Sequence, residues 1–365
     1  MQLERNIFRN SIMSTYPSYM KKTILKQVVD DGLVINDKKK DSQLTLNFTD
    51  SIDVSDDNTL DEKISHILDN DAVLSFMEEY EYKKAYRHFC YFKISGISLE
   101  KIEKLVEQNK INVFDKKELI SIDEFDKPSI YIVGGEIIFK FSIALSNDTG
   151  NKIKYVILAV IDKANDILEF RFDKIGLEYK NTYNFYKELI DKKIGYFEEN
   201  IDLKVENIDF KALVDYIKDK DDITIYAKRM NRNGTTAYLE AFEDEESIIP
   251  ILGELKTFIE SNKVLFESND ETLEIRSKLL GFINDIEVKS DMPMVKMRLD
   301  SDNIKFGITH NYKDTEYSLF MLYGELVGEK EMMSNVREYL MQCSSELNNQ
   351  ISDVRIPTEE VQRVF

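Results

Sequence analysis

Apolar residues recur at helical spacing in PSYMKKTILKQVVDDG, where Met20, Ile24 and Val28 share a face and Gly32 ends the run. The alternating stretch that begins at Gln43, QLTLNFTDSIDV, reads as a short strand. After it, TLDEKISHILDN reads as a helix with Leu60, Ile64 and Ile67 on one side. Aromatic-rich YRHFCYFKIS, from Tyr86 to Ser95, fits a strand. The helix that follows should start at an Ser98 cap and carry Leu99, Ile102, Leu105 and Val106 on one face. A charged connection ending near Pro128 suggests a boundary.

Three β-rich groups follow, each with helices behind it. In SIYIVGGEIIFKFSIAL two strands flank Gly134-Gly135, and in IKYVILAVIDKANDILEFRFDKIG two more flank Asn165-Asp166. Leu168, Phe170 and Phe172 share one parity and Glu169 and Arg171 the other, which predicts one buried and one wet face. Helices are expected at 182–197 and 209–218. The second group, ITIYAKRM and TTAYLEAF around NRNG, carries the strongest hairpin signal, because a type I′ turn needs positive φ at both central residues and Asn233-Gly234 supplies them. Two helices come next, with Pro250 in the first turn of the first one. The third group spans about 292–324, and a long helix closes it. Strands in adjacent pairs argue for an α+β chain of antiparallel meanders and against a parallel βαβ fold. The expected domains are 1–127, 128–221 and 222–365.

Composition narrows the function classes. Of 365 residues, 42% are hydrophobic and the formal charge is -19. Such a field repels nucleic acid and anionic membrane at long range, yet leaves room for a local basic patch. Acidic and basic residues are interspersed, which argues against mimicry of DNA. Cys90 and Cys343 are far apart and form no CxxC pair, so a reducing, cytoplasmic setting is expected. The opening MQLERNIFRNSIMS has early charges and no apolar segment, so no signal peptide is expected, and the run Tyr155 to Ile161 is too short to span a bilayer.

The first candidate site is the cation group Lys228, Arg229 and Arg232 beside the Asn233-Gly234 turn. An exposed tip of this kind could grip phosphate or nucleic acid, or dock an acidic patch on a partner. The plainer reading is a charged turn that keeps a sheet edge from aggregating. Asp244, Glu245 and Glu246 then complement the dipole of the next helix. The second candidate is Glu287-Val288-Lys289, an E-x-K element like that of PD-(D/E)xK nucleases, with Asp270 and Asp285 upstream. Mg²⁺ would be needed only under that reading, and no other cofactor is expected.

His66, His88 and His310 are isolated. His88 and Cys90 point to one side of a strand, where a packed thiol beside an imidazole is expected over a zinc site. Gly134-Gly135 precedes a strand, which is no context for a phosphate-binding loop. The terminal Val364-Phe365 could anchor in a partner groove, and resembles a sliding-clamp peptide one residue short. The resulting expectation is a non-catalytic interaction protein, with a protein partner or a second copy as its occupant. Its setting would be a bacterial antiviral-defence or mobile-element complex. A metal-dependent nuclease and a nucleic-acid or anion binder are the alternatives.

Overall fold

The computed structural model describes residues 2–36, 51–114, 125, 127–218, 220–241, 250–326 and 330–354. The chain is α+β, and contacts divide it into two compact units. The first takes Met1–Ile208 and Gly324–Arg337, the second Asp209–Tyr323 and Glu338–Phe365. The boundary expected near 127 thus falls inside the first unit.

The first unit opens with α1 (Gln2–Thr15) and α2 (Ser18–Asp30), a short parallel pair β1 (Val34–Ile35) and β2 (Ile52–Asp53), then α3 (Leu60–Ile67) and α4 (Asp71–Lys83). Met20, Ile24 and Val28 are buried, as their spacing predicts, and pack with Ile64, Ile67 and Val73 in one core. Thr59 caps α3 by accepting from the Glu62 N–H. The main sheet comprises β3 (His88–Ser95), β4 (Asn112–Val113), β5 (Ser129–Val133), β6 (Glu136–Ser146), β7 (Lys152–Asp162) and β8 (Ile167–Phe172). Helix α5 (Leu99–Glu107) follows β3, with the Ser98 side chain accepting from the Lys101 N–H. Gly134 and Gly135 both take positive φ between β5 and β6.

The strand order is β3-β8-β7-β6-β5-β4, antiparallel except for β4 with β5. Strand β3 pairs with β8, residues Phe92 and Leu168 opposite each other. The aromatic strand therefore joins the meander instead of closing a separate domain. Helix α6 (Phe185–Ile201) covers one face, where Phe197 meets Phe139 edge-on at 5.1 Å. Strand β9 (Lys204–Asn207) pairs with the end of β3.

The other face corrects the sequence reading. Glu169 and Arg171 were expected in water, and they are 0% and 1% exposed. Cross-strand register places Lys140, opposite Leu158, on the same side as Arg171, which also faces Leu158. Lys154, four residues before Leu158 on β7, shares that side. Burial without pairing would be prohibitive for these charges. Helices bring the opposite signs. From α4, Glu78 and Glu81 each contact both Lys140 and Lys154, with Lys154 Nζ 2.6 Å from Glu78 and 2.7 Å from Glu81. Arg337, in α11 (Glu331–Val354), lies 3.0 Å from Glu169 and 2.6 Å from Glu136. Burial alone would raise the Glu78 carboxyl, and the two lysines overcome that and hold it down to about 2.

The second unit begins with α7 (Phe210–Ile217), capped by Asp209. Its sheet comprises β10 (Ile223–Arg232), β11 (Thr235–Glu240), β12 (Asp291–Leu299), β13 (Ile304–Thr309) and β14 (Leu319–Leu322). The order is β11-β10-β12-β13-β14, all antiparallel. Asn233 and Gly234 take φ of 50° and 75°, as the type I′ turn requires. The second and third β groups of the sequence thus form one sheet. Between β11 and β12 the chain makes a helical excursion of α8 (Pro250–Ser261), α9 (Lys263–Phe266) and α10 (Asp270–Lys289). Among the described residues, no helix is long and apolar enough to cross a membrane.

Removing one member of a buried ion pair strands its partner, at a cost of about 3–5 kcal/mol. Lys140→Met is expected to destabilise the first unit by that amount in urea unfolding. The double variant Lys140→Met/Glu78→Leu should recover part of the loss. A Lys140→Met protein as stable as the wild type would show that the network carries no such weight.

Candidate binding surface

The first unit has a cavity of about 20 Å³ lined by Phe8, Ile12, Tyr16, Glu81, Lys84 and Lys154, among others. A space of that size holds about one water molecule. Lys84 there is paired with Asp173, and Lys154 with Glu78 and Glu81. No substrate-sized site forms there. Among the described residues, no group of three or more His, Cys, Asp or Glu side chains is placed to hold a metal ion.

The second unit presents a different arrangement. One face of its sheet buries Val295, Met297, Leu299, Phe306 and Ile308. Side chains alternate across a strand, so Lys296 and Arg298 lie on the opposite face. There Lys296 Nζ stands 4.9 Å from the ring centre of Tyr323 and 5.3 Å from that of Tyr238. It also donates to Glu240 at 3.1 Å, and the Tyr238 hydroxyl donates to the same carboxylate at 2.9 Å. Lys305 Nζ lies 5.7 Å from the ring centre of Tyr226, which sits at a bulge in β10.

Gly307 explains the position of Tyr323. A Cβ at residue 307 would come within 2.9 Å of the Tyr323 ring. A side chain at 307 would displace that ring edge, and glycine lets it lie over the strand. Burial pushes the Tyr226 hydroxyl up to about 12 and raises that of Tyr323. Burial works against the Lys296 charge, but hydrogen bonds to Tyr238 and Glu240 outweigh it and raise its pKa.

The helical excursion is thinly covered. Leu252, Ile259 and Ile283 form its small core, with Leu279 and Ile286 packed at the margin. Phe258 and Phe282 are each 58% exposed, Ile275 is 51% exposed, and Val264 and Leu265 are exposed where α8 turns toward α10. Ile275 and Phe282 are seven residues apart, two turns, and so share a stripe of α10.

The structure separates the three cations picked out by the sequence. Strand parity puts Arg229 on the tyrosine face, directly opposite Tyr238, and Lys228 and Arg232 on the other. Only Arg232 borders the turn, and it donates to the Asp285 carbonyl at 2.8 Å. Arg229 is exposed and makes no hydrogen bond or ion pair among the described residues. Glu287 and Lys289 fall in the last turn of α10, with Asp270 at its start and Asp285 near its end. The side chains of Glu287 and Lys289 lie outside the described residues, as do 242–249 with Asp244, Glu245 and Glu246, and the terminal Val364 and Phe365.

Cys90 is a buried free thiol, and His88 stacks on Phe172 at 5.7 Å. His66 pairs with Asp57. The tyrosine face was missed in the sequence because its members are spread over residues 226–323. Its one local signal is Gly307, a glycine inside a strand pattern. No family model, curated protein or solved structure matches the chain.

His310 gives the second unit a pH dependence. Burial, helped by Lys211, pushes its pKa down to about 4 from 6.5, against the opposing pull of Asp209, Asp291 and Asp215. A depressed histidine pKa leaves stability intact above pH 6.5 and lowers it as pH falls toward 4. The loss should be on the order of 3 kcal/mol. In unfolding measured across that window, His310→Gln should flatten the slope, and an unchanged slope would assign the dependence to other groups.

Proposed function

We propose that this chain is a non-catalytic interaction protein whose helical excursion seats a second copy of itself. The observation that carries the reading is the exposed apolar stripe of α10, Ile275 and Phe282, with Phe258 exposed on α8. Isolated surface hydrophobics are ordinary, but several large ones on one lightly packed two-helix element favour association. Ile275 and Phe282 are exposed seven residues apart, beside the half-buried Leu279 and Ile286 at the margin of the excursion's core. An antiparallel copy of the same helix can match such a seam, and a two-fold interface is self-complementary. The water-sized cavity and the paired charges of the first unit leave that unit as a scaffold. A place in a bacterial defence or mobile-element complex is part of the same proposal, carried by composition alone.

Sedimentation velocity over a concentration series tests the assignment. The wild type is expected to gain mass toward a dimer, and Phe282→Glu should remain monomeric with an unchanged melting temperature. Wild-type protein that stays monomeric throughout, or a Phe282→Glu variant that still dimerises, would contradict it.

A further inference from the structure

The tyrosine face of the second unit carries an inference independent of the helical excursion. Three rings, Tyr226, Tyr238 and Tyr323, lie on β10, on β11 and just after β14. Tyr238 is exposed and the other two are half-buried. The Cε2–Oη edge of the Tyr323 ring lies over Gly307.

Cations surround these rings. Lys296 stands between Tyr238 and Tyr323, Lys305 beside Tyr226, and Arg229 across from Tyr238. Arg229 and Lys305 are exposed, and neither has a carboxylate partner among the described residues. In a chain with 68 acidic residues against 49 basic ones, cations left unpaired beside flat rings call for an anionic ligand with π-faces.

A single-stranded polynucleotide has that chemistry. Its bases stack on aromatic side chains without regard to sequence, and its phosphates sit on neighbouring cations. An acidic peptide would match the cations but leave the rings unused. Duplex nucleic acid hides its base faces and meets the full repulsion of the net charge. We propose that this sheet face binds a single-stranded polynucleotide, with Tyr238 and Tyr323 stacking bases and Arg229 and Lys305 contacting phosphates. Lys228 and Arg232, on the opposite face, take no part.

The test is fluorescence anisotropy on the full chain, using a labelled uridine oligomer on the order of ten nucleotides long. The chain has no tryptophan, so intrinsic emission reports tyrosine directly and stacking should quench it. Expected is binding whose log affinity falls with log salt at a slope of about -1.4, reflecting roughly two phosphate contacts. Tyr238→Ala should weaken it by on the order of tenfold or more, and Arg229→Glu should weaken it and flatten the slope. Lys228→Glu should leave it unchanged. Tyr238 is exposed on an edge strand, so the folded state of that variant is checked by its melting curve. Should Tyr238→Ala prove unfolded, Tyr238→Phe, which keeps the ring, must bind as the wild type does. Absence of binding at low salt would overturn the proposal. So would equal affinity for polyglutamate, or binding insensitive to both Arg229→Glu and Tyr238→Ala.

Discussion

Four charged side chains sealed from water set the terms for the first unit. Lys140 and Lys154 rise from the sheet, and Glu78 and Glu81 descend on them from α4, each lysine touching both glutamates. None of these charges is tolerable alone in that interior, so strand and helix must arrive together. Phe8 and Tyr82 flank the ammonium groups, with ring centres 4.3 Å from Lys154 and 4.6 Å from Lys140. Arg337, Glu169 and Glu136 repeat the device farther along the same face. A sheet face made of charges can be covered only by elements carrying their complements. That requirement fixes which helices sit there.

The second unit uses charge in the opposite way. Its buried face is apolar, and its cations stand on the outer faces of β10, β12 and β13 beside tyrosine rings. Two surfaces there are incomplete as they stand. The excursion α8 to α10 exposes apolar side chains that water solvates poorly, and on the tyrosine face Arg229 and Lys305 have no carboxylate partner among the described residues. Both lie in or next to the hairpin and its insertion.

The elements legible in the sequence were those set by local chemistry. Asn233-Gly234 and Gly134-Gly135 specify their turns through positive φ, and Ser98 and Asp209 specify helix starts through N–H groups near at hand. Long-range pairing was not legible. Nothing near Tyr91 says that it will face Glu169, and nothing near Ile223 says that Leu299 will lie beside it. Alternation in β8 reported polarity, which differs from exposure once Arg337 arrives from far along the chain. Leu99 shows the converse: its spacing fits a buried helical face, but it sits in the first turn and is 46% exposed. Of the candidate site, Arg229 was legible as a cation in a hairpin. Its separation from Lys228 and Arg232 follows from the two-residue period of a strand, whereas the rings around it come from other strands.

Hydrogen–deuterium exchange of the full chain, with and without a uridine oligomer, tests most directly the claim that the first unit is frame and the second is surface. The account predicts slow exchange throughout β6 to β8 in both states, and added protection confined to β10, β11, β12 and β13. Added protection around Tyr16, Lys84 and Asp173 instead would place the binding site at the charged cavity and contradict it.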